Sequence, residues 1–144
     1  MAYRNEAITL LNAHDIKPSV QRIAIMEYLL QHRTHPVVED IYDALCRKIP
    51  TLSKATVYNT LSLLTQKGVA RQLTIDEQCT YYDGELGPHA HFLCNRCGKL
   101  YDISLRGKTA ESAADIPTGF QVYTSELYLR GICPSCAQKD KNKD

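Results

Sequence analysis

The chain has 144 residues, enough for one ordinary domain or two small ones. Apolar residues make up 44% and charged residues 23%, a foldable composition that excludes a disordered tail or a fibrous repeat. The longest apolar runs are a few residues, far short of the roughly 18 that span a bilayer, and no apolar secretory core follows the N-terminus. The expected compartment is therefore the cytoplasm, with no membrane partner. The net charge of +1, from 17 Lys and Arg against 16 Asp and Glu, decides little by itself.

Residues 5–15 carry Ile8, Leu10 and Leu11 at helical spacing, and Pro18 breaks the pattern. Ser19 then caps a second predicted helix whose apolar face contains Val20, Ile23, Ala24, Leu29 and Leu30. Pro36 bends the chain after His35, residues 38–48 resume the helical period through Ile41, Ala44 and Leu45, and Pro50 ends it. A fourth helix is expected from the Ser53 cap to about Lys67, with Gly68 as its stop. Val57, Leu61 and Leu64 share one face of it, while Ala55, Asn59, Ser62 and Gln66 share the other. Residues 69–75 and 80–82 read as a hairpin, which makes residues 1–82 a winged helix-turn-helix.

Charge placement points the same way. Residues 44–75 form a run of 32 without Asp or Glu but with Arg47, Lys48, Lys54, Lys67 and Arg71, a pattern suited to a polyanion. A second acid-free stretch, residues 16–26, holds Lys17 and Arg22. A small, polar, acid-free outer face on the fourth helix suits the major groove of double-stranded DNA. Tyr58 and Asn59 are assigned to base edges, and Lys17, Arg22, Lys54 and Thr56 to phosphates.

Residues 83–88 (Asp-Gly-Glu-Leu-Gly-Pro) have turn chemistry and read as a linker, followed by a small domain over residues 89–144. Short strands are expected around 91–93, 100–104 and 121–130, a small helix over 108–114, and a disordered charged tail over 138–144. The overall class is α+β: a winged helix plus a small α/β dimerisation domain stapled by zinc. About 56 residues bury little on their own, so this second domain needs a staple or a partner chain.

The staple is in the sequence. Cys94-Asn-Arg-Cys97 and Cys133-Pro-Ser-Cys136 are two Cys-x-x-Cys pairs separated by 35 residues, and four thiolates complete tetrahedral Zn2+ with no position left for a substrate. Cys46 and Cys79 stand alone, Cys46 reading as a packed helical residue and Cys79 as a hairpin residue. His89 and His91, at i and i+2, share one face of a strand. Asp83 lies six residues before His89, and Asp102 lies on the next strand, which a hairpin folds back beside His91. Imidazoles with carboxylates suit exchangeable Mn2+, Fe2+ or Zn2+.

Five stretches carry a family resemblance: residues 17–22 (KPSVQR), 35–42 (HPVVEDIY), 53–61 (SKATVYNTL), 89–102 (HAHFLCNRCGKLYD) and 131–136 (GICPSC). In this order they resemble the Fur-family metalloregulators, and within them the peroxide-responsive branch. The resemblance implies that His35 joins Asp83, His89, His91 and Asp102 in one regulatory Fe2+ or Mn2+ site, and that His35 and His89 are the ligands peroxide oxidises. Iron-responsive members usually have Glu at Asp102 and Arg at Asn59, which favours the peroxide branch over the alternative, an iron-responsive repressor of metal uptake. Ala90 and Ser125 occupy two ligand positions of a further metal site found in some members. The expected protein is a homodimeric, metal-dependent repressor on a palindromic operator. It is not read as an enzyme, because so many protein ligands leave little room for water and substrate.

Overall fold

Helical apolar spacing produces the first elements of the computed structural model, which describes residues 2–84, 89–105, 109–123 and 125–141. The first unit, Met1–Leu86, contains α1 (Ala2–Ala13), α2 (Val20–Gln31), α3 (Val38–Leu45), α4 (Lys54–Gln66), β1 (Arg71–Leu73) and β2 (Tyr81–Asp83). Ser19 caps α2 by accepting the Arg22 backbone N–H at 3.2 Å, and Ser53 caps α4 by accepting that of Thr56 at 3.1 Å. Gly68, at φ +79°, ends α4 in the left-handed conformation a helix stop favours.

The core of this unit comes from all four helices, with Leu11, Ile25, Met26, Leu29, Ile41, Leu61 and Leu64 fully buried. Val57, Leu61 and Leu64 form the inner face of α4, and Ala55, Asn59 and Gln66 are exposed opposite them. Val20 departs from its expected place in the apolar face of α2: it sits in the first turn, 71% exposed, and Ile25 and Met26 are buried instead. The third helix ends at Leu45, short of the expected Lys48, because Pro50 disfavours helix at Ile49 and the chain closes in turns, with the Lys48 and Ile49 N–H groups both donating to the Leu45 carbonyl. Antiparallel β1 and β2 pair Gln72 with Tyr82, making the hairpin of a winged helix-turn-helix.

The second unit, Gly87–Asp144, contains β3 (His89–Cys94), β4 (Leu100–Ser104), a 3-10 turn at Ala110–Ala113, β5 (Tyr128–Gly131) and α5 (Pro134–Lys141). β3 is central, antiparallel to β4 and parallel to β5. Its core is small: the buried cluster is Cys94, Cys133 and Cys136, with Phe92 and Tyr101 packed against it.

Three further expectations are corrected. Asp83 is not linker; it is the last residue of β2 and 2% exposed. Gly84 follows it outside any strand, and residues 85–88 of that segment lie outside the described residues, as does Lys108 of the expected small helix. Among the described residues of 121–127 there is no strand, and only Tyr128–Gly131 pairs with β3. Residues 138–141 belong to α5, because Pro134 supplies a preset first helical turn and the Ala137 N–H donates to the Cys133 carbonyl at 2.9 Å. An Arg96–Asp140 ion pair joins this helix to the first cysteine pair; residues 142–144 lie outside the described residues. No helix among the described residues is long and apolar enough to cross a membrane.

Candidate metal centres and nucleic-acid interface

Cys94 closes β3, and the chain then turns sharply enough for the Gly98 N–H to donate to the Cys94 carbonyl at 2.9 Å, with Gly98 at φ +76°. The Asn95 N–H donates to the Gly131 carbonyl at 2.7 Å, which ties this turn to the strand preceding the second cysteine pair. The sulfur atoms of Cys94, Cys97, Cys133 and Cys136 thus all lie within 4.8 Å of one another. Cys97 Sγ and Cys133 Sγ are 3.8 Å apart. A tetrahedral zinc with bonds near 2.3 Å requires sulfur separations of about 3.8 Å.

Electrostatics favour a cation in this cluster. The Cys97 N–H, at 3.5 Å, and the Cys133 N–H, at 3.4 Å, donate to Cys94 Sγ and lower that thiol to about 6. Cys136, facing the sulfur of Cys133, is pushed up to about 12, first by the hydrogen bond to Cys133 and then by burial. Tyr101 is also raised to about 12, chiefly because its hydroxyl donates to Cys133. Four neighbouring sulfurs cannot all ionise beside one another without a counter-charge, and Zn2+ both supplies it and suits a soft donor set. The four-cysteine set therefore fits structural zinc.

The nitrogen and oxygen donors form two groups, one in each unit. In the second unit, His91 stands opposite Asp102 in the β3–β4 register. His89 points the same way, its ring centroid 4.4 Å from that of His91. Both imidazoles converge on one carboxylate oxygen: His89 Nε2 and His91 Nε2 lie 3.5 and 3.4 Å from Asp102 Oδ1. His91 is 2% exposed, whereas the Asp102 side chain is 46% exposed and open to an exchangeable ion.

In the first unit, His35 Nε2 lies 3.5 Å from Asp83 Oδ2, both residues being buried. The Tyr82 N–H donates to the Pro36 carbonyl at 2.9 Å, so their sequence neighbours Asp83 and His35 are brought face to face. His35 adopts φ +60° directly before a proline, a costly conformation of the kind that concentrates at functional positions. All these nitrogen–oxygen separations exceed good hydrogen bonds, and ligands sharing a four-coordinate ion at about 2.0–2.1 Å stand about 3.3 Å apart. The donor chemistry fits a divalent cation.

Lys54, Tyr58 and Asn59 are exposed on α4. Two assigned phosphate contacts have structural duties as well. Arg22 Nη1 donates to the Lys17 carbonyl at 3.0 Å, bracing the loop that carries Lys17, and Thr56 Oγ1 lies 3.0 Å from Ser53 Oγ within the cap. Ser19, Gln21, Arg22, Thr56, Asn59, Thr60 and Leu63 line a polar cleft of about 350 Å³ between α2 and α4, and it contains no acid. Ser19, expected only as the cap of α2, and Gln21, which had no expected role, both lie in the acid-free stretch 16–26.

Residues 13–130 match the model of the ferric uptake regulator family. The chain is 36% identical over 138 residues to the peroxide operon regulator of Bacillus subtilis, covering 95% of each protein. It is 32% identical over 135 residues to the peroxide-responsive repressor PerR of Staphylococcus epidermidis, covering 93% of this chain and 90% of that one. Among solved structures, PerR from Streptococcus pyogenes, described in terms of peroxide sensing and gene regulation, superposes with a TM-score of 0.52 at 31% identity, over 93% of this chain and 92% of that chain.

Proposed function

Because the chain belongs to the ferric uptake regulator family, we propose that it is a metal-dependent transcriptional repressor that releases DNA in response to hydrogen peroxide. The observation that carries this reading is the convergence of His89 and His91 on Asp102 in a chain that also bears a winged helix. The names and similarity of the peroxide-responsive relatives support peroxide as the signal over the iron-uptake alternative.

Cys94, Cys97, Cys133 and Cys136 would hold one Zn2+ per chain as a staple. His35 and Asp83 of the first unit, with His89, His91 and Asp102 of the second, would hold one Fe2+ or Mn2+. A bound divalent ion would stabilise the arrangement of the two units that fits DNA, and with iron it would also supply reactivity towards peroxide. The residues' part is to bind that ion only when both units present their donors, which links ligation to shape. Exposed apolar side chains in the second unit, Phe120 at 69% and Tyr123 at 89% among them, with Ile103, Leu129 and Ile132, support pairing with a second copy. A two-fold dimer would read a palindromic operator, α4 entering the major groove in each half-site.

The test is binding to operators selected from a random duplex library, with Mn2+ and with chelator. Mn2+ is expected to tighten binding by about 5- to 150-fold, the usual range of such coupling. Equal affinity in both conditions would reduce the protein to a DNA-binding module without sensing.

The groove face makes a separate prediction. Asn59→Arg is expected to change which operators are selected, favouring guanine at the facing position by about tenfold, because arginine pairs with guanine where an amide prefers adenine. Identical selected sequences from both proteins would remove Asn59 from the base-reading face.

A further inference from the structure

Lys54 is the first residue of α4, and no acid occupies that helix's first turn. The free N–H groups there already make this end positive, so a lysine adds repulsion that a carboxylate would ordinarily relieve. The chain uses an aromatic ring in place of a carboxylate: Lys54 Nζ lies 5.6 Å from the centroid of the Tyr42 ring. Tyr42 belongs to α3 and is half-buried against the core of the first unit, so its ring is a fixed platform. Ser53 and Thr56, the polar neighbours at this helix end, are already engaged with each other.

An aromatic face attracts an ammonium group without neutralising it, which leaves the full charge and the remaining N–H donors for an anion. A free lysine loses considerable rotamer freedom when it grips a phosphate, and a lysine already held over a ring loses less. We propose that Tyr42 is a positioning residue for DNA binding, holding Lys54 at the mouth of α4 where a backbone phosphate lands. The proposal rests on the reading of α4 as the DNA-contacting helix.

The test measures binding of the full-length, zinc- and Mn2+-loaded protein to a mixed-sequence duplex across a range of salt concentrations. Tyr42→Leu keeps the apolar packing and is expected to weaken binding about three- to fivefold, while the salt slope stays unchanged because Lys54 still reaches its phosphate. Tyr42→Phe keeps the ring and is expected to match the wild type. Lys54→Ala is expected to reduce the slope by about one per protomer, and adding Tyr42→Leu to it to cost nothing more. If Tyr42→Phe weakens binding as much as Tyr42→Leu, the hydroxyl contacts DNA itself and the proposal falls. It also falls if the two losses add independently. An unchanged slope for Lys54→Ala removes Lys54 from the phosphate contacts, a distinct failure that takes the proposal with it.

Discussion

Cys97→Ser is expected to lose the zinc, the dimer and the fold of the second unit together, while the first unit stays helical. The buried cluster of the second unit is made of three of the four cysteines, with Phe92 and Tyr101 packed on them. Little other apolar core backs it, Ala90 and Leu93 being its other buried hydrophobic residues among those described. A structural zinc contributes about 10–16 kcal/mol in small zinc-dependent folds, as much as the about 5–15 kcal/mol by which whole domains are stable. Serine cannot replace the thiolate, and the remaining sulfurs stay crowded around an incomplete site. The first unit has its own core, including Leu11, Ile25, Met26, Leu29, Ile41 and Leu61, and has no need of the zinc. Elemental analysis, sedimentation and far-ultraviolet circular dichroism read the three outcomes: no zinc, a monomer, and retained helical signal. Native protein without zinc, or a variant that remains dimeric, would show that the thiols are not the staple.

The most legible part of the sequence was the one in which several local signals agree. In α4 a serine cap, an apolar face at i, i+4 and i+7, and a glycine stop all specify one helix, and the structure places it within a residue of those bounds. The β3–β4 pairing was legible for a similar reason. Histidines at i and i+2 fix a shared face, and the short turn through Gly98 brings Asp102 opposite His91. His35 was not legible from spacing, because its approach to Asp83 depends on a tertiary contact, the Tyr82 N–H on the Pro36 carbonyl, made across 46 residues of sequence. Residues 138–141 misled through composition: their charges suggest disorder, but Cys133 and Pro134 start a helix whose Asp140 is then held by Arg96. Val20 misled because an apolar residue in the first turn of a helix need not face the core. Local chemistry therefore revealed the helices of the first unit, the thiol cluster and the shared face of His89, His91 and Asp102, whereas the approach of His35 to Asp83 required the tertiary fold.

Mild hydrogen peroxide is expected to add one oxygen atom to His35 or His89 in iron-loaded protein, and to leave both residues intact in manganese-loaded protein. The change is a two-electron oxidation: imidazole and hydrogen peroxide give the oxo-imidazole and water, the peroxide O–O bond breaking and a C–O bond forming. Each ring presents Nε2 to a carboxylate of its own unit and is largely buried, so an oxidant produced beside either one meets an imidazole before it meets solvent. An oxidised ring would be a poorer donor, so these residues would hold the ion less tightly and DNA affinity would fall by up to the factor that the metal supplies. The lone thiols are poor competitors. Cys46 Sγ donates to the Asp43 carbonyl at 3.7 Å, and Cys79 Sγ to Asp76 Oδ2 at 3.5 Å, so both sulfurs are engaged with neighbouring oxygens and neither is fully exposed. Peptide mass spectrometry of the two metal forms, paired with DNA binding on the same samples, decides the matter. Release of DNA with intact histidines and oxidised cysteines would establish a thiol switch instead. Unchanged DNA binding after peroxide, with release on iron removal alone, would return the protein to the iron-responsive alternative.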